Sequence, residues 1–181
     1  MLSAGYGKRL RPLTNKIPKC LVKIKEKPIL EIWLEKLNNE GLGPYLINTH
    51  YLSEQVQQFV NISKFKKEIT LTHEKNLLGT AGTLIKNIDF FQNQDGLLIH
   101  SDNYCLENFN NFILAHDKRP KGCLITMMTF ITPNPSSCGI VEINADGIVK
   151  KYYEKIASPP GNLANCAIYI LTSEFLKEIV K

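Results

Sequence analysis

Apolar positions along this chain follow two periods, and the two take turns. Between residues 28 and 40, Leu30, Trp33, Leu34 and Leu37 fall at the i, i+3, i+4, i+7 spacing of one helix face. Pro28 suits the start of that helix and Gly41 its stop. Tyr45-Leu46-Ile47 reads as a buried strand, and Ser53 as the cap of a helix facing inward through Val56, Phe59 and Val60. The same reading predicts strands at 69–72, 96–100, 123–130 and 167–171. It predicts helices at 80–90, around Phe109, Phe112 and Ile113, and from Ser173. Asn144-Ala145-Asp146-Gly147, between Val141-Glu142-Ile143 and Ile148-Val149, is a hairpin signal because Asp-Gly tolerates positive φ.

Strands alternating with helices predict an α/β fold in three layers, α/β/α, around a mixed, mostly parallel sheet. No linker, charge block or repeat divides the chain, so 1–181 reads as a single domain. Ligands of open α/β sheets bind beyond the carboxyl ends of the strands. The segments there are Gly5-Tyr6-Gly7-Lys8-Arg9, His73-Glu74 with Leu78-Gly79-Thr80-Ala81-Gly82, Ser101-Asp102-Asn103, and Glu154-Lys155. Glycine-rich turns, basic groups and carboxylates are thus expected at a common edge.

Charge sharpens this expectation. The net charge is only +5, yet residues 8–27 hold eight basic side chains against the single Glu26. The rest of the chain is slightly acidic. A nucleic-acid surface would spread basic residues over several elements, whereas one cluster beside glycines fits a small phosphate-rich ligand. No apolar run reaches the roughly 20 residues of a membrane span, and the start does not read as a signal peptide. Five scattered cysteines with no C-x-x-C pair argue against a zinc site or disulfide framework and point to a reducing cytoplasm.

Gly5-Tyr6-Gly7-Lys8-Arg9-Leu10 is neither a dinucleotide fingerprint nor a Walker loop. The longer string, through Arg11-Pro12-Leu13-Thr14 to Pro18-Lys19-Cys20-Leu21, resembles the signature of the sugar-1-phosphate nucleotidyltransferases. That signature reads G-x-G-[ST]-R-L-x-P-L-T-x-x-x-P-K-x-L, and only Lys8 departs from it. The resemblance covers essentially the whole chain and implies a Rossmann-like nucleotidyltransferase fold. It also implies an Mg²⁺-dependent enzyme whose partners are a nucleoside triphosphate and a sugar-1-phosphate, with room for a homo-oligomer. Leu78-Gly79-Thr80-Ala81-Gly82 is similar to the base-binding segment of guanylyltransferases acting on mannose- or heptose-1-phosphate. The implied nucleotide-binding residues are Ala4, Gly5, Gly7, Thr80, Ala81 and Gly82. Those for the sugar phosphate are Gly139, Glu154, Lys155 and Asn165.

The chemistry accounts for these residue types. Two polyanions must meet before a phosphate oxygen attacks the α-phosphorus, so catalysis is mostly positioning and charge stabilisation. Arg9 can fork across β- and γ-phosphate oxygens, Lys19 suits the α-phosphate, and Lys155 the incoming sugar phosphate. Asp102 is the candidate Mg²⁺ ligand or, in the plainer reading, the cap of the helix that follows. Glu154 is equally a surface ion-pair partner for Lys151 or Lys155. His50, His73, His100 and His116 show no metal spacing and read as structural. The family's second metal-binding carboxylate lies in a tryptophan-containing stretch that is not in this sequence, where Trp33 is the only tryptophan. Two readings follow: a C-terminal portion beyond Lys181, or a shortened homologue that binds nucleotide or nucleotide-sugar as a regulatory module.

Overall fold

The basic segment near the chain start takes up little regular structure. In the computed structural model, which describes all 181 residues, it runs through three single 3₁₀ turns, Lys8–Leu10, Leu13–Asn15 and Lys19–Leu21. Lys25 and Glu26, both at positive φ, then reverse the chain between β1 (Lys23–Ile24) and β2 (Lys27–Pro28). Helix α1 (Ile29–Asn39) follows and buries Leu30, Trp33, Leu34 and Leu37, the face that the spacing marks. Strand β3 (Tyr45–Thr49), helix α2 (Ser53–Ile62), strand β4 (Ile69–His73) and helix α3 (Gly79–Lys86) complete the first half. β3 and β4 pair in parallel, from Tyr45 opposite Ile69 to Thr49 opposite His73.

Later in the chain come β5 (Gly96–Ile99), α4 (Phe109–Asp117), β6 (Ile125–Ile131), β7 (Gly139–Ile143), β8 (Val149–Glu154), β9 (Leu163–Leu171) and α5 (Ser173–Glu178). The chain gathers into two compact units. The first comprises Met1–Gln92, Ile99–Glu107 and Ile179–Lys181, and the second Asn93–Leu98 and Asn108–Glu178.

In the first unit Leu2 makes parallel bridges to both Asn48 and His100, which brings Ser3, Ala4 and Gly5 to the ends of the neighbouring strands. Its core holds Leu30, Leu34, Ile47 and Val56, all essentially inaccessible. The second unit is a sheet in the order β5-β9-β7-β8, with β6 also on β9. β6 with β9, β7 with β8 and β7 with β9 are antiparallel, more than strand–helix alternation suggests. The α/β class is therefore mixed, with parallel pairing in the first unit and an antiparallel set in the second. Buried His116 bonds to Thr126 Oγ1 (2.7 Å) and Asp95 Oδ2 (3.2 Å), while Asp95 Oδ1 accepts the N–H of Ser173 (2.7 Å).

Several local expectations change. Ser53 does not cap α2; Leu52, at φ 50°, precedes it and no side chain caps that end. Phe59 is only half-buried. The helix expected over 80–90 stops at Lys86, where Asn87 Nδ2 donates back to Thr83 O (2.8 Å), and a 3₁₀ turn, Ile88–Phe91, follows. No helix is long and apolar enough to cross a membrane.

Candidate active site

Ser3, Ala4 and Gly5 form one wall of a cavity of about 230 Å³ in the first unit. Gly79, Thr80 and Thr83 of α3 form another, and Lys19, Cys20, His100, Ser101 and Asp102 line it too. Polar bonds fix the first wall. The Ser3 N–H donates to Asn48 Oδ1 (2.7 Å), the Ser3 hydroxyl to Ser101 Oγ (2.8 Å), and that hydroxyl to Leu2 O (2.9 Å). Ala4, Gly5, Thr80, Lys19 and Asp102, chosen from the sequence, therefore share one cavity.

Lys19 and Asp102 form an ion pair, with side chains 27% and 30% exposed, so both stay reachable from solvent. The plainer reading of Asp102 as a helix cap does not hold. Asn108 caps α4 instead, its Oδ1 accepting the N–H of Asn110 (2.7 Å). Burial lowers the pKa of His100, against the opposing pull of Asp102. Burial pushes the Cys20 thiol up to about 12, which leaves it a protonated lining group at neutral pH.

The remaining nucleotide candidates lie outside the cavity lining. Gly7, at φ 64°, holds the turn before Lys8–Leu10, and its carbonyl accepts the Thr14 hydroxyl (2.8 Å). A Cβ there would stand 2.9 Å from Thr14 Cγ2, so glycine is required twice over. Arg9 sits exposed in that turn beside Lys8 and Arg11. Ala81 is exposed, and Gly82 has no room for a Cβ, which would lie 2.9 Å from Leu78 Cβ. The small size of Gly82 thus serves the first turn of α3.

The four sugar-phosphate candidates cluster in the second unit. Gly139 pairs with Glu154 across β7 and β8, and a Cβ on it would collide with the Tyr152 hydroxyl. Glu154 is ion-paired with Lys155 and accepts the Tyr152 hydroxyl (2.7 Å). Those two contacts, Lys155 first, hold the Glu154 carboxyl below its ordinary range. Asn165 Nδ2 donates to Tyr169 Oη (2.6 Å) and, more weakly, to Tyr152 Oη (3.4 Å). Burial raises the pKa of both tyrosines, so they remain hydroxyl donors. A bulge in β9 shapes this corner: Asn165 Oδ1 accepts the N–H of Ala167 (2.8 Å), which lies at φ 55°.

A family model described as "Nucleotidyl transferase" matches residues 1–181. The chain belongs to the nucleotidyl transferase family. It is 33% identical over 183 residues to mannose-1-phosphate guanylyltransferase catalytic subunit beta of Drosophila pseudoobscura pseudoobscura, covering 99% of this chain and 49% of that protein. The chain thus spans about half the length of the curated relatives it matches. Among solved structures, HddC from Yersinia pseudotuberculosis complexed with GMP-PN superposes with a TM-score of 0.80 at 22% identity, over 98% of this chain and 77% of that one. UDP-glucose pyrophosphorylase complexed with UDP-glucose gives 0.80 at 20% identity, over 99% and 77%. These structural likenesses establish the nucleotidyltransferase fold.

For this nucleotidyl transferase chain, two acidic side chains line the cavity: Asp102, which is part-exposed beside Lys19, and Glu74, which is 1% exposed and held by Asn48, Thr83 and Leu78. No group of three His, Cys, Asp or Glu side chains forms a self-sufficient metal cage. One carboxylate still fits Mg²⁺, which completes its shell with water and substrate phosphates. Sequence reading placed Glu74 at a strand end without giving it a role, and missed Asn48 and Thr83 in the cavity wall and Tyr152 beside Asn165. Only Glu74 carried a signal, standing directly after the residues of β4.

Proposed function

We propose that the chain transfers a nucleotidyl group, GMP from GTP, to mannose- or heptose-1-phosphate, giving an NDP-sugar and pyrophosphate. The observation that carries this reading is the single cavity in which Ala4, Gly5 and Thr80 meet the Lys19–Asp102 pair. It joins a small-residue wall for a base to a cation for phosphate. The sequence kinship to guanylyltransferases supports the choice of guanine.

In this mechanism the backbone at Ala4 and Gly5 approaches the nucleotide, because no large side chain intervenes. Thr80 lines the base side. Lys19 neutralises charge developing at the α-phosphate, while exposed Arg9 holds the departing pyrophosphate. Lys155, oriented by Glu154, receives the sugar phosphate, and Asn165 and the Tyr152 hydroxyl offer hydrogen bonds to its ring. The sugar-1-phosphate is already ionised at neutral pH, so the attack needs no strong general base. Asp102 would hold Mg²⁺, which when bound supplies charge neutralisation for the triphosphate.

Competition binding among GTP, ATP, UTP and dTTP tests the base. A site built on hydrogen bonds rejects a mismatched base, since each unpaired buried group costs about 1–3 kcal/mol. GTP is expected to bind tightest; a preference for UTP or dTTP contradicts the guanylyl assignment. In the same titrations Asp102→Asn is expected to weaken GTP binding with Mg²⁺ present and to change little in EDTA.

A further inference from the structure

Glu74 is the most deeply buried carboxylate of the chain, 1% exposed, and no substrate-binding role has been given to it. Buried carboxylates are rare unless fully paired, and no cation is paired with this one. Three donors converge on it instead. Oε1 accepts Asn48 Nδ2 (2.8 Å) and the Thr83 hydroxyl (2.5 Å), and Oε2 accepts the backbone N–H of Leu78 (3.1 Å). Burial alone would raise its pKa, but these hydrogen bonds outweigh burial and keep the carboxyl below the ordinary range.

The partners of Glu74 lead to two walls of the nucleotide cavity, the glycine wall and α3. Leu78 and Thr83 stand at the start and in the middle of α3, the segment that presents Thr80. Asn48, which donates to Glu74, uses its Oδ1 to accept the N–H of Ser3, at the head of the glycine wall. A second path leaves from the Glu74 backbone. Its carbonyl can only accept, so His50 donates from Nδ1 (2.7 Å), and in the neutral ring Nε2 accepts the Tyr6 hydroxyl (2.9 Å). Tyr6 lies between the two glycines of the turn.

We infer that Glu74 is a positioning residue that sets the glycine wall and the base-facing helix at a fixed separation for the nucleoside triphosphate. The inference rests on the nucleotidyl-transfer reading above. Its chemistry requires an acceptor on both oxygens. Glutamine, nearly identical in shape, must turn an NH₂ group toward either the Leu78 N–H or the Asn48 amide. One buried donor is then left unpaired and the two walls drift apart.

Steady-state kinetics of the wild-type chain, Glu74→Gln and Thr83→Val test this, with thermal melting of each. Glu74→Gln is expected to raise the KM for GTP about tenfold, the cost of one unpaired buried donor. Its KM for the sugar-1-phosphate should stay within about twofold, because that site draws on other residues. Thr83→Val removes one donor with little change of shape, and is expected to raise the same KM by less. Should Glu74→Gln not fold, Thr83→Val decides by the same split. Folded variants with an unchanged KM for GTP, or with both KM values raised equally, overturn the positioning role while leaving the transferase reading intact. A wild-type chain that neither binds GTP nor turns it over overturns that reading, and the positioning role with it.

Discussion

Lys19 reaches Asp102 from a short 3₁₀ turn, and it supplies the positive side chain of a cavity otherwise lined by small, neutral and acidic groups. That isolation separates its two effects. The pair keeps roughly a quarter to a third of its surface in water, so its loss is expected to shift stability by about 1 kcal/mol or less. Charge stabilisation at a reacting phosphate is worth far more, and Lys19→Ala is expected to lower kcat by about 10²–10³. Melting curves and initial rates on the same preparation check this. A cooperative loss of folding with undiminished turnover per folded molecule would return Lys19 to a structural role. Lys19 and Asp102 were legible because the motif fixed one and a strand end the other. Asn48 was not. A lone asparagine in an apolar strand gives no periodic signal, and although Glu74 stood at a strand end, the bonds that join the two exist only once β3, β4 and α3 are adjacent.

The elements were more legible than the residues between them, since burial of one face imposes a period that survives in sequence. The apolar face of α1 and the turn at Asp146-Gly147 were both read correctly; in the latter, Asn144 Oδ1 accepts the N–H groups of Asp146 and Ile148. The antiparallel pairing of β6 with β9 was not. Those strands are joined through β7 and β8, and pairing between distant segments leaves no local mark. The β9 bulge was hidden for the same reason, although Asn165 was singled out. Two predictions belong here. Gly7→Ala places a Cβ against Thr14 at a φ that alanine resists, and is expected to cost more than about 1 kcal/mol by denaturant unfolding. The Glu154 carboxyl has a lowered folded pKa, so its pairing is present above the unfolded value and is lost as pH falls through the folded one. Carboxyl NMR titration is expected to show a midpoint below 4.5 that rises toward 4.5 in Lys155→Met. An unmoved midpoint would mean that Lys155 is not its partner in solution.

At the scale of the whole molecule, two compact units each gather one of the residue sets that the sequence marked. The first unit holds the cavity with Ala4, Gly5, Lys19, Thr80 and Asp102, and the second holds Gly139, Glu154, Lys155 and Asn165. The proposed transfer assigns one of its two anionic substrates to each set. On the proposed reading the second set serves the sugar phosphate, whereas a regulatory nucleotide-binding module would need the first set alone. Substrate dependence of pyrophosphate release distinguishes the two most directly. The rate is measured with GTP, ATP, UTP and dTTP, each with mannose-1-phosphate, a heptose-1-phosphate, glucose-1-phosphate or no sugar. Release that requires a sugar-1-phosphate, runs fastest with GTP and falls away in Lys19→Ala is the expected result. Tight GTP binding with no pyrophosphate released in the presence of any of these sugar phosphates would contradict it.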